Sequence, residues 1–68
     1  MSTYKNVIKG LELLASCEKH GQDAYGVDAE HDQIYAGPDI SEVPDGIKKQ
    51  LKALGWFESD ADRFSIYT

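Results

Sequence analysis

The chain has one cysteine, Cys17, and only two prolines and six glycines among 68 residues. A single thiol cannot close an internal disulfide, which excludes the disulfide-stapled secreted miniproteins. It also leaves a classical zinc finger, which commonly uses two or more Cys, short of ligands. The low Pro and Gly content excludes collagen-like and proline-rich chains. No apolar run approaches the ~20 residues a bilayer-spanning helix needs. The opening Met1-Ser2-Thr3-Tyr4-Lys5-Asn6 lacks the apolar stretch of a signal peptide, so a cytoplasmic location is expected. Positive charge is scarce: seven Lys and Arg face twelve Asp and Glu, for a net charge of -5 with His neutral. Hydrophobic residues make up 41%, enough for a core and too many for a disordered tail. The expectation is a single domain over residues 1–68. A chain of this size leaves little room for an enclosed pocket, which favours a binding module over an enzyme.

The apolar pattern predicts two helices. Tyr4, Val7, Ile8, Leu11, Leu14 and Ala15 form one stripe of 3.6-residue period. Ser2 or Thr3 can cap its start, Lys19 and His20 suit its last turn, and Gly21 can end it. Gly10 interrupts the stripe's helix at a cost of ~1 kcal/mol relative to Ala, which a close packing contact or a solvent-side position would explain. Val43, Ile47, Leu51 and Leu54 make a second apolar face. There Ser41 is the expected cap, Pro44 falls in the first turn and Gly55 ends the helix. Between them, Val27-Asp28-Ala29-Glu30 and Gln33-Ile34-Tyr35-Ala36 alternate as half-buried strands, joined by His31-Asp32 as a hairpin turn. Trp56-Phe57-Glu58 and Arg63 to Tyr67 flank a polar turn and predict a final strand or second hairpin. The fold class is α+β: a small antiparallel sheet of three to four strands with two helices on one face, in the order α-β-β-α-β. Trp56, Phe57 and Phe64 are the expected core anchors.

Charge is unevenly distributed. Residues 23–47 carry Asp23, Asp28, Glu30, Asp32, Asp39, Glu42 and Asp45 with no Lys or Arg, and Lys48, Lys49 and Lys52 follow at once. On a hairpin, Asp28 and Glu30 point to the same outward face, and Asp32, Asp39 and Glu42 extend them into an acidic ridge. A ridge of this kind is commonly a solvated face that keeps a small protein soluble. It also steers cationic partners and repels nucleic acid. Alternate strand residues lie ~6.6 Å apart on one face. That approximates the ~7 Å spacing of phosphates along one DNA strand, as follows from one charge per ~1.7 Å of duplex axis. The ridge could therefore occupy a groove built for DNA. The lysines of the second helix are expected to lie away from it, leaving the molecule electrically polarised.

Other chemistry finds little support. Cys17 and His20 lack a third orienting group, so Cys17 reads as a structural thiol. No His-x-x-x-His or Cys-x-x-Cys pair exists, and residues 28–39 fail the EF-hand pattern, so neither metal nor cofactor is expected. No nucleophile–base–orienter set or Gly-rich phosphate loop is present, and no catalytic residue is assigned. Direct nucleic-acid binding is disfavoured by the sign of the charge. Tyr35, beside the acidic stretch, is a candidate interface anchor, since Tyr is enriched where partners dock.

The hairpin Val27-Asp28-Ala29-Glu30-His31-Asp32-Gln33-Ile34-Tyr35, with Leu51-Lys52-Ala53-Leu54-Gly55-Trp56 and the closing Phe64-Ser65-Ile66-Tyr67-Thr68, resembles a group of small phage and prophage accessory proteins. Pro44 departs from the acidic residue expected in the second helix's first turn. The resemblance implies a mobile-element origin and a protein that works in the cytoplasm of an infected bacterial host by binding a host protein. Small acidic phage proteins include anti-CRISPR proteins, several of which mimic DNA. The resulting expectation is a non-enzymatic inhibitor of a host nucleic-acid-binding protein, most concretely a CRISPR effector subunit. It would bind through Asp28, Glu30, Asp32, Tyr35, Asp39 and Glu42, as a monomer or weak dimer. The alternative is a phage structural or regulatory module that associates through Trp56, Phe57 and Tyr67 on an uncovered sheet face.

Overall fold

A computed structural model describes residues 2–19, 21 and 26–67. Helix α1 spans Tyr4–Ala15, strands β1 and β2 span Val27–Glu30 and Gln33–Ala36, and helix α2 spans Asp45–Ala53. Strands β3 and β4 follow at Phe57–Glu58 and Phe64–Tyr67. The strands form one antiparallel sheet in the order β1-β2-β4-β3. The α+β architecture and element order expected from the sequence are present, with the final segment resolved as a second hairpin.

Thr3 rather than Ser2 caps α1, its side chain accepting from the Asn6 backbone N–H at 3.1 Å. The helix ends earlier than the stop expected at Gly21. It ends at Ala15, so Lys19 lies beyond the last turn, and His20 falls outside the described residues. The cause is local. Ser16 Oγ donates to the Leu13 carbonyl at 2.5 Å and Cys17 Sγ approaches the same oxygen at 3.5 Å, in competition with helical hydrogen bonding. Cys17 and Glu18 then continue as tight turns onto Leu14 and Ala15.

The start of α2 also differs from expectation. Ser41 belongs to a separate 3-10 turn, Ile40–Glu42, where the Asp39 carboxylate accepts from both its backbone N–H and its hydroxyl. Pro44 is the N-cap of α2 and offers no side-chain hydrogen bond. The far end conforms to the sequence. Gly55 takes φ 94, its N–H donates to Lys52, and the Trp56 N–H donates to Leu51. This Schellman closure turns Trp56 back over Leu51, and both are buried.

One core lies between the sheet and the helices: Leu14, Ala36, Val43, Leu51, Trp56, Phe64 and Ile66. Cross-strand pairs Ile34↔Ile66 and Ala36↔Phe64 place the sheet's contribution on one face, and α1 and α2 both pack there. Trp56 accounts for Gly10. Its indole N–H donates to the Asn6 carbonyl at 3.1 Å, and a Cβ at position 10 would stand 1.9 Å from Nε1. Gly37 allows a similar approach, since a Cβ there would meet Leu14 at 2.7 Å.

Two expectations about the strands are corrected. Phe57 is not a core anchor: adjacent residues of an extended chain face opposite ways, so burying Trp56 turns Phe57 outward. Trp56, in turn, is 2% exposed and belongs to no outer patch. β1 is not half-buried. All four of its residues are exposed: Asp28 and Glu30 face the outer side, and on the other side a groove of about 270 Å³, bounded in part by Ile8, Leu11 and Val27, lies between the strand and α1.

Candidate functional site

The face of the sheet away from the helices is organised by register. Asp28 pairs with Tyr35, Tyr35 with Ser65, and Ser65 with Phe57, so these four residues form one row across all four strands. Glu30, Gln33 and Tyr67 make the next row. Phe57 and Tyr67 sit diagonally across the β3–β4 pair and stack, with centroids 5.2 Å apart and planes at 27°. Ser65 lies between Tyr35 and Phe57 in its row and is 0% exposed. Its Oγ has no hydrogen-bond partner among the described residues. A shallow groove of about 470 Å³ runs over this face, lined by Gln33, Tyr35, Phe57, Tyr67 and the turn residues after β3.

The six residues expected at the site divide into two groups. Asp28, Glu30 and Tyr35 share the outer face, and Asp32 lies at the hairpin tip beside them. Asp28 accepts from the Ala29 N–H at 2.9 Å, and Glu30 lies 3.7 Å from the His31 imidazole, both side chains being largely exposed. Asp39 and Glu42 do not join this ridge. The loop carrying them leaves the other end of β2 and crosses the sheet, and the Ile40 N–H donates to Asp62 in the β3–β4 turn at 2.8 Å. A continuous ridge of five carboxylates is thus replaced by an acidic edge at β1 and a separate acidic loop beside Asp62. Asp23 falls outside the described residues.

Lys52 pairs with Glu58 at 3.2 Å. That contact is on the edge strand β3, three strand spacings or ~14 Å from β1. The second helix's cationic end therefore lies at the sheet edge opposite the acidic hairpin.

Several residues of this region escaped the sequence reading. Arg63, the one arginine of the chain, donates through Nε to the Gly37 carbonyl at 3.1 Å and through Nη2 to the Gly26 carbonyl, clamping the base of the first hairpin to β4. Nothing local announces these contacts. Ser65 and Gln33 were legible in principle: strand alternation places Ser65 and Tyr67 opposite Phe64 and Ile66, on the face Tyr35 occupies. Among the described residues, no group of three or more His, Cys, Asp or Glu is arranged to hold a metal ion. None of their helices is long and apolar enough to cross a membrane.

No known family, curated protein or solved structure matches this chain.

Proposed function

We propose that this chain is a non-enzymatic binding module that docks its outer sheet face onto a basic surface of a host nucleic-acid-handling protein and excludes nucleic acid from it. The concrete form is an anti-CRISPR protein that competes with target DNA for an effector complex. The observation that carries this reading is the common placement of Asp28, Glu30 and Tyr35 on an uncovered face whose hairpin supplies no Lys or Arg. Carboxylates on alternate residues of an edge strand project a negative field with little local neutralisation, which speeds encounter with a cationic groove and makes it salt-dependent. The resemblance of the hairpin to small phage accessory proteins supports the choice of partner.

The test is competition between the protein and a labelled DNA duplex for the effector complex, read by gel shift across a salt series. Competition should weaken as salt rises. The double substitution Asp28→Lys with Glu30→Lys should abolish it while circular dichroism stays unchanged. Full competition by that variant would sink the mimicry. Neutralising Lys48, Lys49 and Lys52 together should leave competition intact, because the lysines belong to the other side of the molecule.

The second reading, a phage structural or regulatory module, is favoured by the stacked Phe57–Tyr67 pair on the same open face. Sedimentation at micromolar concentration separates the two: self-association lost on Tyr67→Ala supports the module, and a monomer supports the inhibitor.

A further inference from the structure

We propose that the groove over Ser65 is a receptor for a single arginine side chain presented by a partner protein. This deepens the reading above by naming the group the outer face grips, and it rests on that reading only for the partner's identity.

Three features of the groove select the ligand. The first is aromatic surface. Tyr35, Phe57 and Tyr67 line it, and the 27° stack of Phe57 on Tyr67 gives a broad wall rather than isolated rings. Flat cations are drawn to such faces by the ring quadrupole, and guanidinium stacks on them where ammonium cannot. The second is charge. Asp60 lines one side, Asp28 flanks Tyr35 on the other, and among the described residues no Lys, Arg or His lines the groove; Glu58 borders it, but its carboxylate turns to Lys52 on the helix side. Lys52 partly neutralises Glu58, whereas Asp60 has no cation within 4 Å among the described residues. A phosphate or carboxylate is therefore repelled, and a neutral apolar group would leave the carboxylates unused.

The third feature lies beneath the groove. Ser65 Oγ is buried and, among the described residues, unpartnered, and by register it lies between Tyr35 and Phe57 with Tyr67 two residues along the same strand. A buried hydroxyl without a partner is costly in a folded protein. By register its neighbours on this face are the side chains of Tyr35, Phe57 and Tyr67. A fork of N–H donors entering between Tyr35 and Phe57 finds an acceptor in Ser65 Oγ, a second in the Gln33 side-chain carbonyl and a carboxylate at Asp60. A groove of about 470 Å³ lies within the size range of small-ligand sites.

The experiment titrates the isotopically labelled full chain with acetyl-Gly-Arg-Gly-amide, followed by amide chemical shifts. The lysine and citrulline versions of the peptide serve as comparators. Arginine should saturate in the millimolar range, on the order expected for a site giving about 4 kcal/mol. The shifts should centre on Gln33, Tyr35, Phe57, Ser65 and Tyr67. Lysine should bind at least about threefold more weakly, and neutral citrulline should not saturate, as the loss of a charge-assisted bond requires. Asp60→Asn, an exposed change that leaves the fold alone, should weaken arginine binding about threefold or more. Shifts confined to residues 28–32, a non-saturating response, or equal binding of citrulline would each overturn the groove. The two proposals fail separately. If arginine enters the groove but the protein does not compete with DNA, the receptor stands and the inhibitor reading falls. If competition persists while the peptide leaves the groove untouched, the reverse holds.

Discussion

Phe64 and Ile66 on one side of β4 lie beneath two helices, while Ser65 and Tyr67 on the other side have no helix above them. Ser65 is nonetheless as buried as Phe64, both at 0% exposure. The two kinds of burial differ physically. The inner face is closed by backbone elements, each tied down by its own hydrogen bonds, and cannot open without unfolding. On the outer face the register sets Ser65 among the side chains of Tyr35, Phe57 and Tyr67, and side chains rearrange more readily than whole backbone elements. The inner face is therefore where stability resides, and the outer face is where a partner can be received.

Substitutions on the two faces should separate these roles. The largest effect belongs to Trp56→Ala, which empties the centre of the inner face and removes the bond to the Asn6 carbonyl. It should cost about 3–5 kcal/mol. A domain of 68 residues has a total stability on the order of 3–10 kcal/mol, so chemical denaturation should show it largely or wholly unfolded. Next comes Gly10→Ala. Helix propensity favours it by ~1 kcal/mol. The new Cβ would strike an indole held by a hydrogen bond and a packed core, however, and overpacking costs about 1–3 kcal/mol. The clash should win, and the denaturation midpoint should fall. A rise would mean that the indole is free to move.

On the outer face the sign should reverse. Ser65→Ala removes an unpartnered buried hydroxyl and should stabilise the protein by about 1 kcal/mol in thermal denaturation, while weakening arginine binding. Loss of stability there would show that the hydroxyl is satisfied in the free protein, and the distinction between the faces would narrow. Smallest of all, Asp28→Lys with Glu30→Lys should shift stability by less than about 0.5 kcal/mol, as exposed positions do, although it should abolish partner binding.

Much of the inner face was legible in the chain. Val7, Leu11 and Leu14 repeat at helical spacing, Leu54-Gly55-Trp56 spells a helix end followed by a buried residue, and the two alternating tetrapeptides set the first hairpin's register at Glu30↔Gln33. The outer face was legible only in part. Asp28, Glu30 and Tyr35 follow from alternation alone. The separation of Asp39 and Glu42 from them does not, because it depends on the Ile40–Asp62 bond between segments far apart in sequence. The end of α1 was misjudged for a different reason: Lys19 and Gly21, which resemble a last turn and its stop, lie past the point where Ser16 and Cys17 turn back on the Leu13 carbonyl, and residue type alone does not register that competition.

The Arg63 clamp also bears on the order in which the sheet assembles. The β1–β2 and β3–β4 pairings each close over a short turn, whereas β2 and β4 meet only once the whole stretch from Gly37 to Arg63, α2 included, has been placed. Closing a longer loop costs more chain entropy, and non-local pairing slows folding. The two hairpins are thus the early units and the central ladder joins them late. Arg63, adjoining the first residue of β4 and bonded to carbonyls at both sides of the first hairpin's base, sits at that junction. A residue that the sequence marks only as the start of the last strand sits where the two hairpins meet.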